Sequence, residues 1–240
     1  MRVCTEAAPR KKPSVFFNVK LDICLSYRKV IIMNIKVCGI TTFKQLQQLD
    51  GLEIDMAGLV FIADSPWYVG SVLSAAEVKK ADFDVKKVGI LRDPSLSDAL
   101  DIIDAYKLDV VQLVGHESAS LCDDLSTEVE VIKSFYLAND AVAIDELVKD
   151  YDACCDYYLF SGPAAAASDL YGEGPSLSLF KKARIEKPFF ISGGINASSA
   201  SVIRAIDHPD FFGVDLHTAF ETAPGEKDMK SLLQFRQQLR

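Results

Sequence analysis

Eight short runs of β-branched and aromatic residues, each followed by a stretch of helical period, limit what this chain can fold into more than any other feature. The runs are 35–38, 56–61, 87–91, 110–113, 129–135, 157–160, 188–191 and 212–215. Helices are expected near 43–49, 74–80, 95–106, 117–126, 141–150, 176–183, 198–207 and 227–239. Ser95 and Ser198 suit N-caps, and Pro94 and Pro175 stand where the chain turns into a helix. Right-handed crossovers between eight consecutive parallel strands close the sheet on itself, so residues 34–240 predict a single (β/α)8 (TIM) barrel, an α/β fold. A doubly wound open sheet would use fewer strands, and no GxGxxG turn follows the first one. In a barrel, chemistry belongs at the C-terminal ends of the strands and in the loops after them.

Charge narrows the partners. Residues 1–33 carry seven Lys or Arg against two acids, a net of +5, and residues 34–240 carry 19 against 32, a net of −13. An acidic body repels phosphate backbones, so no nucleic-acid partner is expected, and a phosphorylated ligand must be held by local backbone amides. No apolar run approaches the ~20 residues needed to cross a bilayer, so no membrane partner is expected. Residues 1–33 lack an uninterrupted secretory core and are read as a loose basic arm or a gene-calling artefact, with Met33 the biological start. The six cysteines, at 4, 24, 38, 122, 154 and 155, include no CxxC pair and no regular spacing. Neither a disulfide framework nor a metal site is expected, and free thiols fit the cytoplasm. The adjacent Cys154 and Cys155 are read as buried packing.

Several strand ends carry a resemblance. Lys36-Val37-Cys38-Gly39-Ile40-Thr41, Gly58-Leu59-Val60-Phe61 with Ser65-Pro66-Trp67-Tyr68-Val69, Val111-Gln112-Leu113, Ser192-Gly193-Gly194-Ile195-Asn196, and Gly213-Val214-Asp215 followed by Glu221-Thr222-Ala223-Pro224-Gly225 and Lys227-Asp228 together resemble phosphoribosylanthranilate isomerase. The likeness runs from Ile35 to the C-terminus. It implies a (β/α)8 barrel catalysing the Amadori rearrangement of N-(5-phosphoribosyl)anthranilate in tryptophan biosynthesis, with no cofactor and no metal. It also implies that Cys38 is the general base and that Asp215 contacts the substrate. Gly193 and Gly194, with the amides after Asp215 at His217 and Thr218, correspond to the phosphate cradle, and Trp67 lies at the aromatic end of the substrate.

Three departures stand beside these matches. The family's general acid at the end of strand six has Phe160 in its place, and phenylalanine cannot donate a proton. The family's Arg after Ser-Pro, which grips the anthranilate carboxylate, is Trp67, which can stack on a ring but cannot pair with its charge. Val114 replaces a His, and the turn after strand six reads Tyr171-Gly172-Glu173-Gly174. Glu173, Asp64, His116 and His217 all fall on the catalytic rim as substitute acids; a bound anion would raise the pKa of His217. Three readings stay open: a working isomerase whose acid is another group or water, a paralogue that binds or isomerises a different sugar phosphate, and a non-catalytic barrel. Oligomeric state is left open.

Overall fold

A computed structural model describes residues 33–139, 143–162, 174–181 and 183–240. The expected N-terminal arm lies outside the described residues apart from Met33, and so do Glu173 and most of the loop after strand six. The eight expected strands all form: β1 Asn34–Cys38, β2 Met56–Val60, β3 Lys86–Leu91, β4 Val110–Leu113, β5 Glu130–Tyr136, β6 Tyr157–Ser161, β7 Phe189–Ser192 and β8 Phe211–Leu216. They pair in parallel and in sequence order, and β8 pairs with β1, which closes the barrel. The helices between them are α1 Phe43–Gly51, α2 Ala75–Lys80, α3 Leu96–Tyr106, α4 Ala119–Ser126, α5 Ile144–Val148, α6 Ala200–Arg204 and α7 Met229–Leu239. No helix among the described residues is long and apolar enough to cross a membrane.

Local chemistry explains most starts. Thr42, Ser74, Ser95, Ser118 and Asp228 each accept a backbone N–H of the helix they precede, satisfying donors that the first turn leaves orphaned. Ser198 does not take that role. Its amide and hydroxyl go to Asn196 Oδ1, and α6 starts after Ser199. The helix expected at 176–183 is reduced to a 3-10 turn over Leu179–Lys181 within the described residues. The chain also adds a hairpin after β8, β9 Glu221–Ala223 with β10 Glu226–Lys227, turned by Gly225 at φ 79°.

Alternation along each strand sorts its residues between two environments. Ile35, Val37, Leu59, Val111, Phe160 and Phe189 face the helices and belong to the large outer core. Met56, Val88, Val110, Ile132, Leu159 and Phe190 come from six different strands yet form one cluster, which fills the barrel interior. This parity corrects the reading of Phe160. Its ring is fully buried outside the barrel, against Phe135, Phe180 and Phe189, and therefore occupies no catalytic position. The inward position at the end of β6 is Ser161, two residues beyond Leu159.

Candidate active site

The barrel interior becomes polar toward the C-terminal mouth. Lys36 and Asp215 are direct register partners on β1 and β8, and Lys36 Nζ donates to Asp215 Oδ1 at 2.8 Å with neither side chain exposed. Ser192, the register partner of Asp215 on β7, donates its hydroxyl to Oδ2 at 3.0 Å. Both carboxylate oxygens are thus fixed, one by a cation. Burial works against the Lys36 ammonium, but Asp215 and Cys38 outweigh it and hold its pKa above the ordinary lysine value.

Cys38 sits one pleat above Lys36, buried at the end of β1 in a cluster with Val60, Ile62, Ile90 and Val114, against which Trp67 packs. Its register partner is Gly58, and a Cβ there would stand 2.8 Å from the Cys38 sulfur. The glycine leaves the thiol its room. Gly39 follows at φ 78°, and a Cβ on it would meet His217 Nε2 at 2.5 Å and Trp67 Cδ1 at 3.0 Å. The two rings therefore crowd the backbone after Cys38, and they meet each other edge to face with centroids 4.3 Å apart.

The hairpin supplies a second ion pair. Lys227 Nζ reaches Glu221 Oε1 at 2.5 Å, and the same oxygen accepts the Trp67 indole N–H at 3.0 Å. Burial pushes Lys227 below the ordinary lysine value, against the pull of Glu221, Cys38 and Asp215. Gly225 O accepts from both Thr41 Oγ1 and Gln45 Nε2, which ties the hairpin to the loop after β1. His217 is 5% exposed, and its pKa falls well below 6.5 because burial, then Lys227 and Lys36, disfavour a charged ring.

Gly193 at φ 89° and Gly194 at φ 63° follow β7 as two consecutive left-handed residues, a conformation that suits glycine. Their main chain lines a cavity of about 110 Å³ with Ile195, Asn196, Asp215, His217, Thr218 and Ala219. This is the place, after strands 7 and 8, where barrels commonly hold phosphate. Gly174 comes in from the preceding loop, and a Cβ on it would stand 2.7 Å from Gly193 O.

The structure brings Cys38, Asp215, Gly193, Gly194, His217, Thr218 and Trp67 to one end of the barrel. It leaves two of the suggested substitute acids elsewhere on the rim. Asp64 is exposed and pairs with Arg92 at 3.5 Å, and His116 is exposed with its amide on Asp93. Lys36, Ser192, Glu221 and Lys227 join this centre although their motifs alone assign them no role. A Lys at an interior strand position and an acid six residues before a Lys across a Gly turn were the available signals.

The fold and this rim define the class: a closed (β/α)8 barrel with its polar centre and a glycine-lined cavity at the C-terminal mouth. Residues 35–238 match the family model for N-(5'phosphoribosyl)anthranilate (PRA) isomerase, and the chain belongs to that family. It is 31% identical over 211 residues to N-(5'-phosphoribosyl)anthranilate isomerase of Parabacteroides distasonis, covering 86% of this chain and 93% of that one. The enzyme of Streptococcus pneumoniae (strain Taiwan19F-14) is 30% identical over 201 residues, 84% and 92% of the two chains. The crystal structure of phosphoribosyl anthranilate isomerase from Thermus thermophilus superposes with a TM-score of 0.72 at 23% identity, covering 86% and 98%, and shares the fold.

Proposed function

We propose that the chain isomerises N-(5'-phosphoribosyl)anthranilate to its 1-deoxyribulose product in tryptophan biosynthesis, working in the cytoplasm. One observation carries this reading: an inward Cys38 thiol, cleared by Gly58, stands at the same barrel mouth as the Lys36–Asp215–Ser192 set and the cavity lined by Gly193 and Gly194. The phosphoryl group occupies that cavity, met by main-chain groups from Gly193 to Ile195 and by His217 and Thr218. In the opened sugar, an imine between C1 and the anthranilate nitrogen, Cys38 takes the proton from C2. The C–H electron pair forms the C1–C2 double bond while nitrogen gains a proton. Return of a proton to C1, with loss of the C2 hydroxyl proton, leaves the ketone at C2, so no atom is gained or lost. Asp215, paired with Lys36, accepts a sugar hydroxyl, and the ammonium groups of Lys36 and Lys227 favour the Cys38 thiolate that takes the proton.

Ring opening needs a proton on the ring oxygen. Ser161, at the inward end of β6, is a poor acid, so water supplies it, at a loss of the ~10²–10⁴-fold that a positioned acid contributes. Cys122, Cys154 and Cys155 are thiols rather than disulfides, which supports a reducing compartment. The test follows substrate fluorescence with the purified chain and with Cys38→Ala. Slow turnover that the mutation abolishes is expected; equal rates in both would overturn the assignment.

A second reading rests on Glu221. Its carboxylate accepts from Trp67, at the position where the anthranilate carboxylate would need a cation, and this favours a sugar phosphate with a less anionic aromatic end. Absence of turnover together with a higher melting temperature in ribose 5-phosphate would support it.

A further inference from the structure

Away from the barrel mouth, three cysteines that are far apart in sequence meet. Cys122 lies on α4, buried beside Leu125, and Cys154 and Cys155 lie in the turn that leads into β6. The three sulfurs all lie within 4.8 Å of one another. We propose that Cys122, Cys154 and Cys155 form a three-thiolate site for a divalent d10 metal ion of the Zn(II) or Cd(II) class. The site is independent of the isomerase reading.

Geometry is the first support. Three thiolates at about 2.3 Å from one zinc stand roughly 3.8–4.0 Å from each other. Sulfurs already within 4.8 Å need less than about 1 Å of closure, which side-chain torsions supply without moving α4 or the turn. The turn is itself fixed: the amides of Cys154 and Cys155 both donate to Tyr151 O, at 3.1 and 3.2 Å, and the Cys154 thiol lies 3.5 Å from the same oxygen. Cysteine spacing does not reveal this set, because Cys122 comes from a different βα unit.

Chemistry selects the ion. Thiolates are soft ligands and favour zinc-group and cuprous ions over Mg(II) or Ca(II). Each ligating thiol releases its proton to solvent, so a divalent ion leaves a net charge of −1 and a monovalent one −2. Burial disfavours the larger charge. The neighbouring ion pair, Lys133 Nζ with Glu117 Oε2 at 2.6 Å, is neutral overall and adds no net charge beside the three sulfurs. Cys154 and Cys155 are each 5% exposed against 0% for Cys122, so the sulfurs lie nearest to solvent on the side of the turn before β6.

The test titrates the full chain, reduced and stripped with chelator, with Cd(II), following the sulfur-to-metal charge-transfer absorbance. Saturation at one equivalent is expected. Cys122→Ser should weaken binding by more than the ~10–100-fold that loss of an outer-shell partner costs. The triple variant Cys4→Ser/Cys24→Ser/Cys38→Ser should keep the band. No band, a band unchanged by Cys122→Ser, or a band lost in the triple variant would overturn the site. Should Cys122→Ser fail to fold, X-ray absorption of the Zn(II)-loaded wild type decides. Three sulfur neighbours at about 2.3 Å support the site, and oxygen or nitrogen neighbours alone refute it.

Discussion

Lys36 and Asp215 face each other across the seam where the barrel closes, β1 against β8, as a fully buried ion pair joined at 2.8 Å. Ser192 fills the other carboxylate oxygen, so removal of the lysine alone leaves a buried anion with a single neutral donor. Lys36→Met is expected to cost about 3–5 kcal/mol in urea unfolding. Lys36→Met/Asp215→Leu should cost less than Lys36→Met alone, because no uncompensated charge remains. A double variant as unstable as the sum of the two single ones would show that the pair is not the origin of the loss.

His217 gives the protein an acid-side liability. Its folded pKa lies well below 6.5, whereas the unfolded chain titrates near the ordinary value. Between those two points the unfolded state binds a proton that the fold refuses. Stability is therefore full above about pH 6.5 and declines as pH falls, by up to ~1.4 kcal/mol per unit. His217→Gln removes this contribution, so its stability should change less than that of the wild type between about pH 7.5 and 5.5. Parallel pH profiles for the two chains would show the ring to be accessible to a proton in the fold.

Gly58 tests how closely the thiol is positioned. A methyl group there would sit 2.8 Å from Cys38 Sγ and 2.9 Å from Ile90 Cδ1, so something must shift. Overpacking of this kind costs ~1–3 kcal/mol, and a misplacement of about 1 Å at a reacting atom costs ~10²-fold in rate. Gly58→Ala is expected to lower kcat by about that factor while the melting temperature falls only a few degrees. An unchanged kcat would mean that the sulfur does not have to hold its present position.

The barrel was legible because strand parity and turn chemistry are local. β4 Val110–Leu113 falls where its Val-Val-Gln-Leu run places it, and Ser95 caps α3 as its type and position imply. The site was legible only in part. The face a residue takes depends on register, and a one-residue offset turned the inward Ser161 into the outward Phe160 at the end of β6. Glu221 and Lys227 escaped assignment because their pairing requires the hairpin over Gly225, and a two-residue turn leaves no periodic signal. The Trp67–His217 contact joins the loop after β2 to the residue that follows β8, a separation no local pattern can show.

Trp67 is the position where substrate preference should change most readily. Its indole N–H is satisfied by Glu221, and Lys227 shares that carboxylate. Trp67→Arg would bring a guanidinium to the aromatic end of the site, where a charged hydrogen bond to the anthranilate carboxylate contributes ~1.5–3 kcal/mol. Steady-state kinetics with N-(5'-phosphoribosyl)anthranilate should show a KM about tenfold lower or better, with kcat little changed. A KM that does not move would indicate that Glu221 captures the new cation, and Trp67→Arg/Glu221→Gln separates that outcome from a failure of the assignment.

Ser161 offers the corresponding test of the missing acid. It ends β6 on the inward face, 1% exposed, beside its register partner Ser192, whose hydroxyl already serves Asp215. A carboxyl group introduced there would be desolvated and close to the Asp215 anion. Both effects raise its pKa, and a raised pKa keeps the proton that ring opening requires. Ser161→Asp is thus expected to destabilise the fold, since it buries a polar group without a prepared partner, yet to increase kcat by up to ~10²-fold. The increase should fade as pH rises and the new carboxyl ionises, whereas wild-type turnover lacks that alkaline limb. A variant that folds, binds the substrate and turns over no faster than wild type would place the rate-limiting step after ring opening, at the proton transfer to Cys38.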